Sequence, residues 1–157
     1  MDLGLKLQPV DLACASPVSF VRRQRAFAVF ASKPVSETNF SNSKNLDLNA
    51  VRQGIAKHGQ KLGLCDIVGS GWGNLAMEKS GWDVQKNEPW WERKLLLLQN
   101  YRFSIALENT ATPYYVTEKI WHSIKAGALP VYWSKNSSIY ETFPAKSFVD
   151  ASEFSDF

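Results

Sequence analysis

Residues 101–133 of the chain are YRFSIALENTATPYYVTEKIWHSIKAGALPVYW, and this stretch decides the fold. The apolar run 103–107 predicts a buried strand, and the apolar run 129–133 predicts a second one. Between them, Thr117 is placed to cap a helix that Gly127 ends. A strand, a helix and a strand of this length form a βαβ unit, which implies a parallel sheet with a right-handed crossover.

Polar side chains follow the first of these strands and continue into the start of the helix. In parallel α/β sheets, ligands bind beyond the carboxyl ends of the strands. The side chains at that position are Glu108, Asn109, Tyr114, Tyr115, Glu118 and Lys119. Lys119 conflicts with the helix dipole, because the helix start already carries partial positive charge. A bound phosphate would remove the conflict. Alternatively, Lys119 is a solvated surface lysine paired with a nearby carboxylate. The physics of the helix alone leaves both alternatives open.

The same stretch resembles a known family. ALENTATPYYVTEKIWHSIKAGALPVYW, at 106–133, and FPAKSFVDASEF, at 143–154, resemble the donor-binding motif of the α-1,3/1,4-fucosyltransferases, glycosyltransferase family 10. That motif has Glu-Asn-Ser/Thr at a strand end, then Tyr-Val-Thr-Glu-Lys, Gly-x-x-Pro-Val and Pro-x-x-Ser-Phe-Ile/Val. Every part is present here in the same order. The clear resemblance covers about residues 101–154, and a weaker one covers about 27–58.

Alternating strand and helix patterns favour a doubly wound α/β domain. The resemblance implies more: a Rossmann-like parallel sheet with flanking helices that forms one half of a GT-B glycosyltransferase. On this basis residues 1–25 are expected to be a connector or a remnant of an interdomain segment. Residues 26–157 are expected to be a GDP-fucose-binding domain that is incomplete at its C-terminus.

The resemblance also implies which residues hold the donor, GDP-fucose, with no metal strictly required. Arg52 and Lys119 would bind the diphosphate. Glu118 would bind hydroxyls of the ribose or fucose, and Tyr115 would contact the nucleotide. Asn109 would orient the sugar or the loop, and Glu108 is a further candidate that supports the site. Arg52 lies in 48–59, where Val51 and Ile55 predict a helix and Gly59 its end.

Fucose would pass from GDP-fucose to a glycan acceptor with inversion, in the α-1,3 manner of the family. The family's catalytic base lies in the N-terminal domain, so no residue of this sequence is expected to be catalytic. The chain alone is therefore expected to bind the donor, and its own transfer activity stays open. The alternative function is a non-catalytic fragment that retains only nucleotide-sugar binding.

Composition bounds the remaining classes. With 157 residues, 45% hydrophobic content and a net charge of +3, the chain suits one globular domain. Six Trp residues and the basic run at Arg22, Arg23 and Arg25 raise a nucleic-acid-binding domain as another class. It is disfavoured because aromatic and basic residues do not interleave on one element.

The expected compartment depends on the source of the protein. No apolar run approaches the ~18–20 residues that span a bilayer, so any membrane association would use segments that this sequence lacks. Eukaryotic members of the family are Golgi membrane proteins, and bacterial members are cytoplasmic or membrane-associated. Cys14 and Cys65 form no disulfide framework, which makes a reducing compartment the default.

Overall fold

The computed structural model describes residues 25–30, 47–69, 71–72, 76–78 and 90–154. The predicted connector lies outside these residues except for Arg25. Residues 32–34, whose Ser-Lys-Pro sequence is typical of a turn, also lie outside them. The apolar run that begins at Ala26 is typical of a buried strand, and the structure has a strand at Arg25–Phe30.

The described residues form a sheet of six parallel strands, in the order β3-β2-β1-β4-β5-β6. The strands are β1 (Arg25–Phe30), β2 (Cys65–Val68), β3 (Ala76–Glu78), β4 (Tyr101–Ile105), β5 (Leu129–Tyr132) and β6 (Val149–Asp150). The chain runs outward from β1 to one edge and returns to continue from β4 to the other. This is the strand order of doubly wound dinucleotide-binding folds, which place ligands where the order reverses, between β1 and β4.

Helices cover both faces of the sheet. They are α1 (Asn49–Lys61), α2 (Trp90–Leu98) and α3 (Glu118–Lys125), with short 3₁₀ helices at Ile139–Glu141 and Ala151–Glu153. One core cluster joins Ala56 of α1 to Ile105 and Val131, and another joins Ile120 of α3 to Tyr132. Because neighbouring strand residues point to opposite faces, Val131 and Tyr132 bring α1 and α3 to opposite sides of the sheet. The predicted α/β class is therefore confirmed.

The βαβ unit predicted from 101–133 is present as β4, α3 and β5. Gly127 adopts a φ of 70° after the last turn of α3. Its N–H donates to the carbonyl of Ile124 at 2.8 Å, and the N–H of Ala128 donates to that of Ser123 at 2.9 Å. This pair of bonds is a Schellman motif, so the predicted helix end is confirmed.

The prediction that Gly59 ends α1 is wrong, because the helix continues to Lys61. The left-handed residue that terminates it is Gly63, whose φ is 70°. Gly59 instead faces β2, where a Cβ on this residue would lie 2.7 Å from the Cβ of Cys65. The glycine therefore allows close packing of the helix on the strand.

Asp150 joins the last strand to its neighbouring turns. Its carboxylate accepts hydrogen bonds from the N–H of Ser134 at 3.1 Å, the N–H of Ser152 at 3.0 Å and the hydroxyl of Tyr140 at 2.8 Å. Burial raises the pKa of Asp150, but hydrogen bonds from the hydroxyls of Ser134 and Ser152, together with the N–H of Ser152 and the Tyr140 hydroxyl, outweigh it and hold the pKa below its usual value. Asp150 is also the N-cap of the last 3₁₀ helix, because its side chain accepts from the N–H of Ser152.

Candidate functional site

The start of α1 docks on the loop that follows β4. The N–H of Leu48 donates to the carbonyl of Asn109 at 3.0 Å, and Asp47 forms an antiparallel bridge with Thr110. These contacts bring the first turn of α1 to the carboxyl end of β4. Since α3 also begins just beyond this strand, two helix N-termini meet at the edge predicted to bind a ligand.

Arg52 lies in the first turn of α1 and is only 3% exposed. Its Nη1 donates to the carbonyl of Leu107 at 3.2 Å and to Oδ1 of Asn109 at 3.0 Å, and its Nη2 donates to Oδ1 of Asn49. Its Nε–H is buried and has no hydrogen-bond partner within the described part of the chain. Burial lowers the pKa of Arg52, whereas the nearby carboxylates of Glu108 and Asp47 raise it. A guanidinium remains charged in such a setting.

Asp47 and Asn49 support the arginine, and the sequence did not identify them. Oδ1 of Asp47 accepts from the backbone N–H of Asn49 at 2.8 Å and from its side-chain amide at 2.7 Å. The amide oxygen of Asn49 is thereby turned toward Arg52. An aspartate directly before the helix predicted at 48–59 is a signal for a helix start, and it could have indicated this support.

Glu108 is 2% exposed and joins the end of β4 to the start of α3. It accepts from the N–H of Thr117 at 2.7 Å, from the hydroxyl of Thr117 at 2.8 Å and from Nζ of Lys119 at 2.7 Å. Nζ of Lys119 also donates to the hydroxyl of Thr117 at 2.9 Å. These bonds hold the lysine against the loop.

The contacts of Lys119 show how its positive charge is compensated at the start of α3. Lys119 is paired with a carboxylate, as one alternative had it, but its side chain is only 16% exposed, so it is not the solvated surface lysine of that alternative. The hydroxyl of Thr117 makes no cap to its own helix, because Glu108 and Lys119 use it. Helix physics therefore no longer requires an external anion, and the donor role of Lys119 stays a prediction.

Glu118 and Tyr115 lie in the same region and reach solvent. Burial raises the pKa of Glu118, but the charge of Lys119, hydrogen bonds and the charge of Lys94 outweigh it and lower the pKa. Tyr115 is 38% exposed, and its neighbour Tyr114 is more exposed and has a φ of 61°. A tyrosine with positive φ is uncommon and marks a locally strained loop.

Lys94 of α2 is a charged residue of this region that the sequence did not identify. It is 9% exposed and lies near Glu118, Lys119 and Glu108. A signal existed, because Lys94 precedes the buried Leu98 by four residues and therefore shares its helix face.

The six predicted site residues meet at one edge of the sheet. The structure brings Arg52 into contact with Asn109 and Lys119 into contact with Glu108, while Glu118 and Tyr115 lie beside them. A separate apolar groove of about 760 Å³ lies along α1 and is lined by none of the six. Polar ligand chemistry therefore belongs to the sheet edge rather than to this groove.

In the part of the chain that the structure describes, no three His, Cys, Asp or Glu residues are grouped as a metal site. The expectation that no metal is required stays a prediction. No helix among the described residues has the length and apolar character needed to cross a membrane.

The chain shares part of its sequence with curated proteins. An α-(1,4)-fucosyltransferase of Arabidopsis thaliana is 34% identical over 65 residues, which are 41% of this chain and 16% of that protein. A GDP-fucose protein O-fucosyltransferase 3 of Bos taurus is 40% identical over 60 residues, which are 38% of this chain and 12% of that protein. The chain thus spans less than a fifth of these curated relatives.

A solved structure of an α1,3-fucosyltransferase with GDP-fucose superposes with a TM-score of 0.57 at 25% identity. The superposition covers 85% of this chain and 32% of that one. The expected fold, a Rossmann-like half of a GT-B glycosyltransferase, is therefore confirmed. Residues 44–157 match the family described as "Glycosyltransferase family 10 (fucosyltransferase) C-term". The chain thus belongs to glycosyltransferase family 10, the fucosyltransferases.

Proposed function

We propose that the chain supplies the donor-binding part of a fucosyltransferase, which transfers fucose from GDP-fucose to a glycan acceptor with inversion. The observation that supports this most is the meeting of Arg52 and the Glu108–Lys119 pair between the starts of α1 and α3. Helix N-termini with basic side chains are suited to phosphate oxygens. The solved relative described above carries GDP-fucose.

The charges of the site are balanced before any ligand binds. The cations Arg52, Lys94 and Lys119 face the carboxylates Asp47, Glu108 and Glu118. Affinity for a diphosphate would therefore come from N–H donors at defined positions rather than from excess positive charge. The buried Nε–H of Arg52 is one such donor, since a buried polar group without a partner is costly.

The other residues have separate proposed roles. Glu118 is exposed and ionised at neutral pH, so its carboxylate can accept hydrogen bonds from ribose or fucose hydroxyls. The exposed ring of Tyr115 can pack against the nucleotide. Asn109 holds Arg52 and the start of α1, so we assign it the loop-orienting role.

Stabilisation of the leaving diphosphate would be the contribution of this chain to the reaction. Arg52 and Lys119 would lie where negative charge develops as the glycosidic bond breaks, which is an effective form of catalysis. They would do so without a divalent cation. The base that activates the acceptor hydroxyl is expected in a domain beyond this chain.

Calorimetric titration with GDP, GDP-fucose and UDP-glucose tests the proposal. The protein should bind GDP and GDP-fucose but not UDP-glucose. Lys119→Ala should weaken GDP binding about 10-fold or more, because a hydrogen bond to a charged group contributes roughly 1.5–3 kcal/mol. Lys125→Ala, at the other end of α3, is the matched control and should bind GDP as the wild type does.

Circular dichroism would show whether each variant remains folded. A folded wild-type protein that gives no heat with GDP would contradict the donor-site proposal. Transfer assays with a glycan acceptor would separate the enzyme from the alternative, a non-catalytic fragment that only binds nucleotide sugar. Binding without transfer, with or without a supplied acceptor domain, would favour the fragment.

A further inference from the structure

We propose that the apolar groove beside α1 is a docking surface for residues 10–21 of this same chain, VDLACASPVSFV. These residues belong to the predicted connector 1–25, which would then lie against the sheet. The groove is separate from the donor site, so the contact stands whether or not the chain binds GDP-fucose.

The groove has the size and the apolar character of a docking surface. It has a volume of about 760 Å³ and runs along α1, with Ile105, Val131 and Val149 of the adjacent strands β4, β5 and β6 on its other side. Its described lining residues include no Asp, Glu, Lys or Arg. An apolar partner therefore gains free energy by entering the groove, whereas a charged partner loses its hydration there.

Exposed apolar side chains lie at both ends of the groove. Leu62 is 57% exposed and Leu64 is 48% exposed, where α1 leads into β2. Phe154 is 58% exposed and lies beyond the carboxyl end of β6. Since contiguous exposed apolar surface marks a site of interaction, we infer that a segment follows the groove from one end to the other.

The register of β1 shows where the preceding residues meet the groove. β1 begins at Arg25, and Phe27 lies opposite Cys65 in the parallel pair of β1 and β2. The chain before Arg25 therefore enters the sheet beside Leu64, which lies at one end of the groove. A segment that precedes β1 starts from this end without having to cross the sheet.

The length of the segment suits the groove. The helix α1 has 13 residues and is about 20 Å long. The twelve residues 10–21 span up to roughly 40 Å when extended. They can therefore cover the whole groove even if the chain bends at Pro17.

The composition of the segment matches the apolar lining. Eight of the twelve residues are hydrophobic, and only Asp11 is charged. Lys6 precedes the segment, and Arg22 and Arg23 follow it. These charged flanks would stay in solvent and confine the contact to residues 10–21.

Covalent attachment favours this segment over a second copy of the chain. A tethered segment is present at an effective concentration in the millimolar range. A second molecule in a dilute solution is present at a far lower concentration. We therefore expect the groove to be filled within one molecule.

Methyl NMR of the full-length chain with a nitroxide spin label on Cys14 tests the contact. Cys65→Ala keeps a small apolar side chain at the buried position and leaves Cys14 as the one thiol of the chain. The label should broaden the methyl signals of Ile55 and Val131, which line the groove. Leu96 of α2, which packs with α3 on the opposite face of the sheet, should be broadened far less.

A matched pair of variants shows whether the apolar segment makes the contact. Leu12→Asp places a charge within the segment and should abolish the excess broadening of the groove signals. Leu5→Asp makes the same change outside the segment and should keep that broadening. Groove signals that are broadened no more than Leu96, or that respond equally to both variants, would overturn the proposal.

A mixed sample identifies the molecule that fills the groove. Spin-labelled chain without isotopes is mixed with isotope-labelled chain that carries no spin label. Docking within one molecule should leave the groove signals sharp in this mixture. Broadening there would show that a second copy fills the groove, and it would overturn the proposal.

A dye measurement keeps both natural cysteines and so does not depend on Cys65→Ala. The fluorescence of anilinonaphthalene sulfonate should rise in Leu12→Asp, because the open groove binds the dye, and should stay at the wild-type level in Leu5→Asp. Circular dichroism shows that each variant is folded. Equal fluorescence of the two folded variants would contradict the docking of residues 10–21.

Discussion

Gly54 and Gly59 both lie in α1, but their surroundings differ. A Cβ added at Gly54 would meet no atom within 4 Å, whereas one at Gly59 would lie 2.7 Å from the Cβ of Cys65. Glycine costs conformational entropy in a helix interior. Glycine therefore lowers the stability of the helix at position 54, whereas at position 59 the packing of the helix on β2 requires it.

The two positions give a matched prediction. Gly54→Ala should raise the free energy of unfolding by about 0.5–1 kcal/mol through the entropy of the unfolded chain. Gly59→Ala should lower it by about 1–3 kcal/mol, because the helix must move away from β2. Urea denaturation followed by circular dichroism measures both, and changes of the same sign would contradict the packing at Gly59.

At the candidate site, local motifs predicted residues that the structure brings to one place, but not the contacts between them. The motif around 106–119 identified Glu108, Asn109, Tyr115, Glu118 and Lys119, which do cluster. It did not show that Glu108 is the anion beside Lys119, because the loop 109–116 decides how the chain folds back. Lys94 was missed because its partners lie on another helix, and their charges are brought together only by packing.

At the scale of elements, α2 and α3 form one charged and apolar layer. Leu98 of α2 packs with Tyr101 and Ala126, while Lys94 faces the first turn of α3. His122 lies in the same layer. Burial, aided by the charge of Lys94, lowers its pKa to about 4.

This lowered pKa predicts a loss of stability in acid. Between pH 6.5 and pH 4 the unfolded chain binds a proton at His122 while the folded chain does not, so the free energy of unfolding should fall as the pH falls. His122→Gln should flatten that part of the profile. Urea denaturation at successive pH values measures it.

The second of the two histidines supplies the control. His58→Gln should leave the slope between pH 6.5 and pH 4 intact. Asp150 and Glu118 also have pKa values below the ordinary values of these residue types. The stability that they contribute is lost mainly as the pH falls below those ordinary values, at the acid end of this window. A His122→Gln profile that keeps the wild-type slope would contradict the assignment.

Sequence periodicity predicted the type of the main elements better than their ends. The apolar run 103–107 suggested a strand to residue 107, whereas β4 ends at Ile105. Beyond the strand, the N–H of Ala106 still donates to the carbonyl of Val131, but the carbonyl of Leu107 accepts from Nη1 of Arg52. Arg52, which is 55 positions away in the sequence, thus donates to a carbonyl that the apolar run alone predicted to pair within the sheet.

At the scale of the whole molecule, the strand order brings together the two helix starts that form the site. The reversal between β1 and β4 opens a crevice at their carboxyl ends, and α1 and α3 start on either side of it. Alternating sequence patterns predicted the α/β class. They could not give the strand order, which depends on pairing across long separations.

Donor binding should therefore stabilise the whole domain. At GDP concentrations about 100 times the dissociation constant, stabilisation should be roughly 2.7 kcal/mol, which is seen as a rise in Tm. Because Arg52 and Lys119 replace a metal in the proposal, EDTA should leave the rise unchanged. Differential scanning calorimetry measures it, with UDP-glucose as the control ligand.

A rise in Tm that EDTA abolishes would contradict metal-independent binding. In that case the carboxylates of the site would become candidates for metal ligands. An equal rise with UDP-glucose would contradict selectivity for the guanine nucleotide.

The pairing of β1 with β4 also bears on how the chain folds during synthesis. Arg25 lies opposite Tyr101 in the register, whereas β4 and β5 are joined through the single helix α3. Closing a long loop costs entropy before the contact is gained, so distant strands pair late. We expect 101–132 to collapse first and β1 to pair with β4 afterwards, so a nascent chain has no central strand pair until residues 101–105 have left the ribosome.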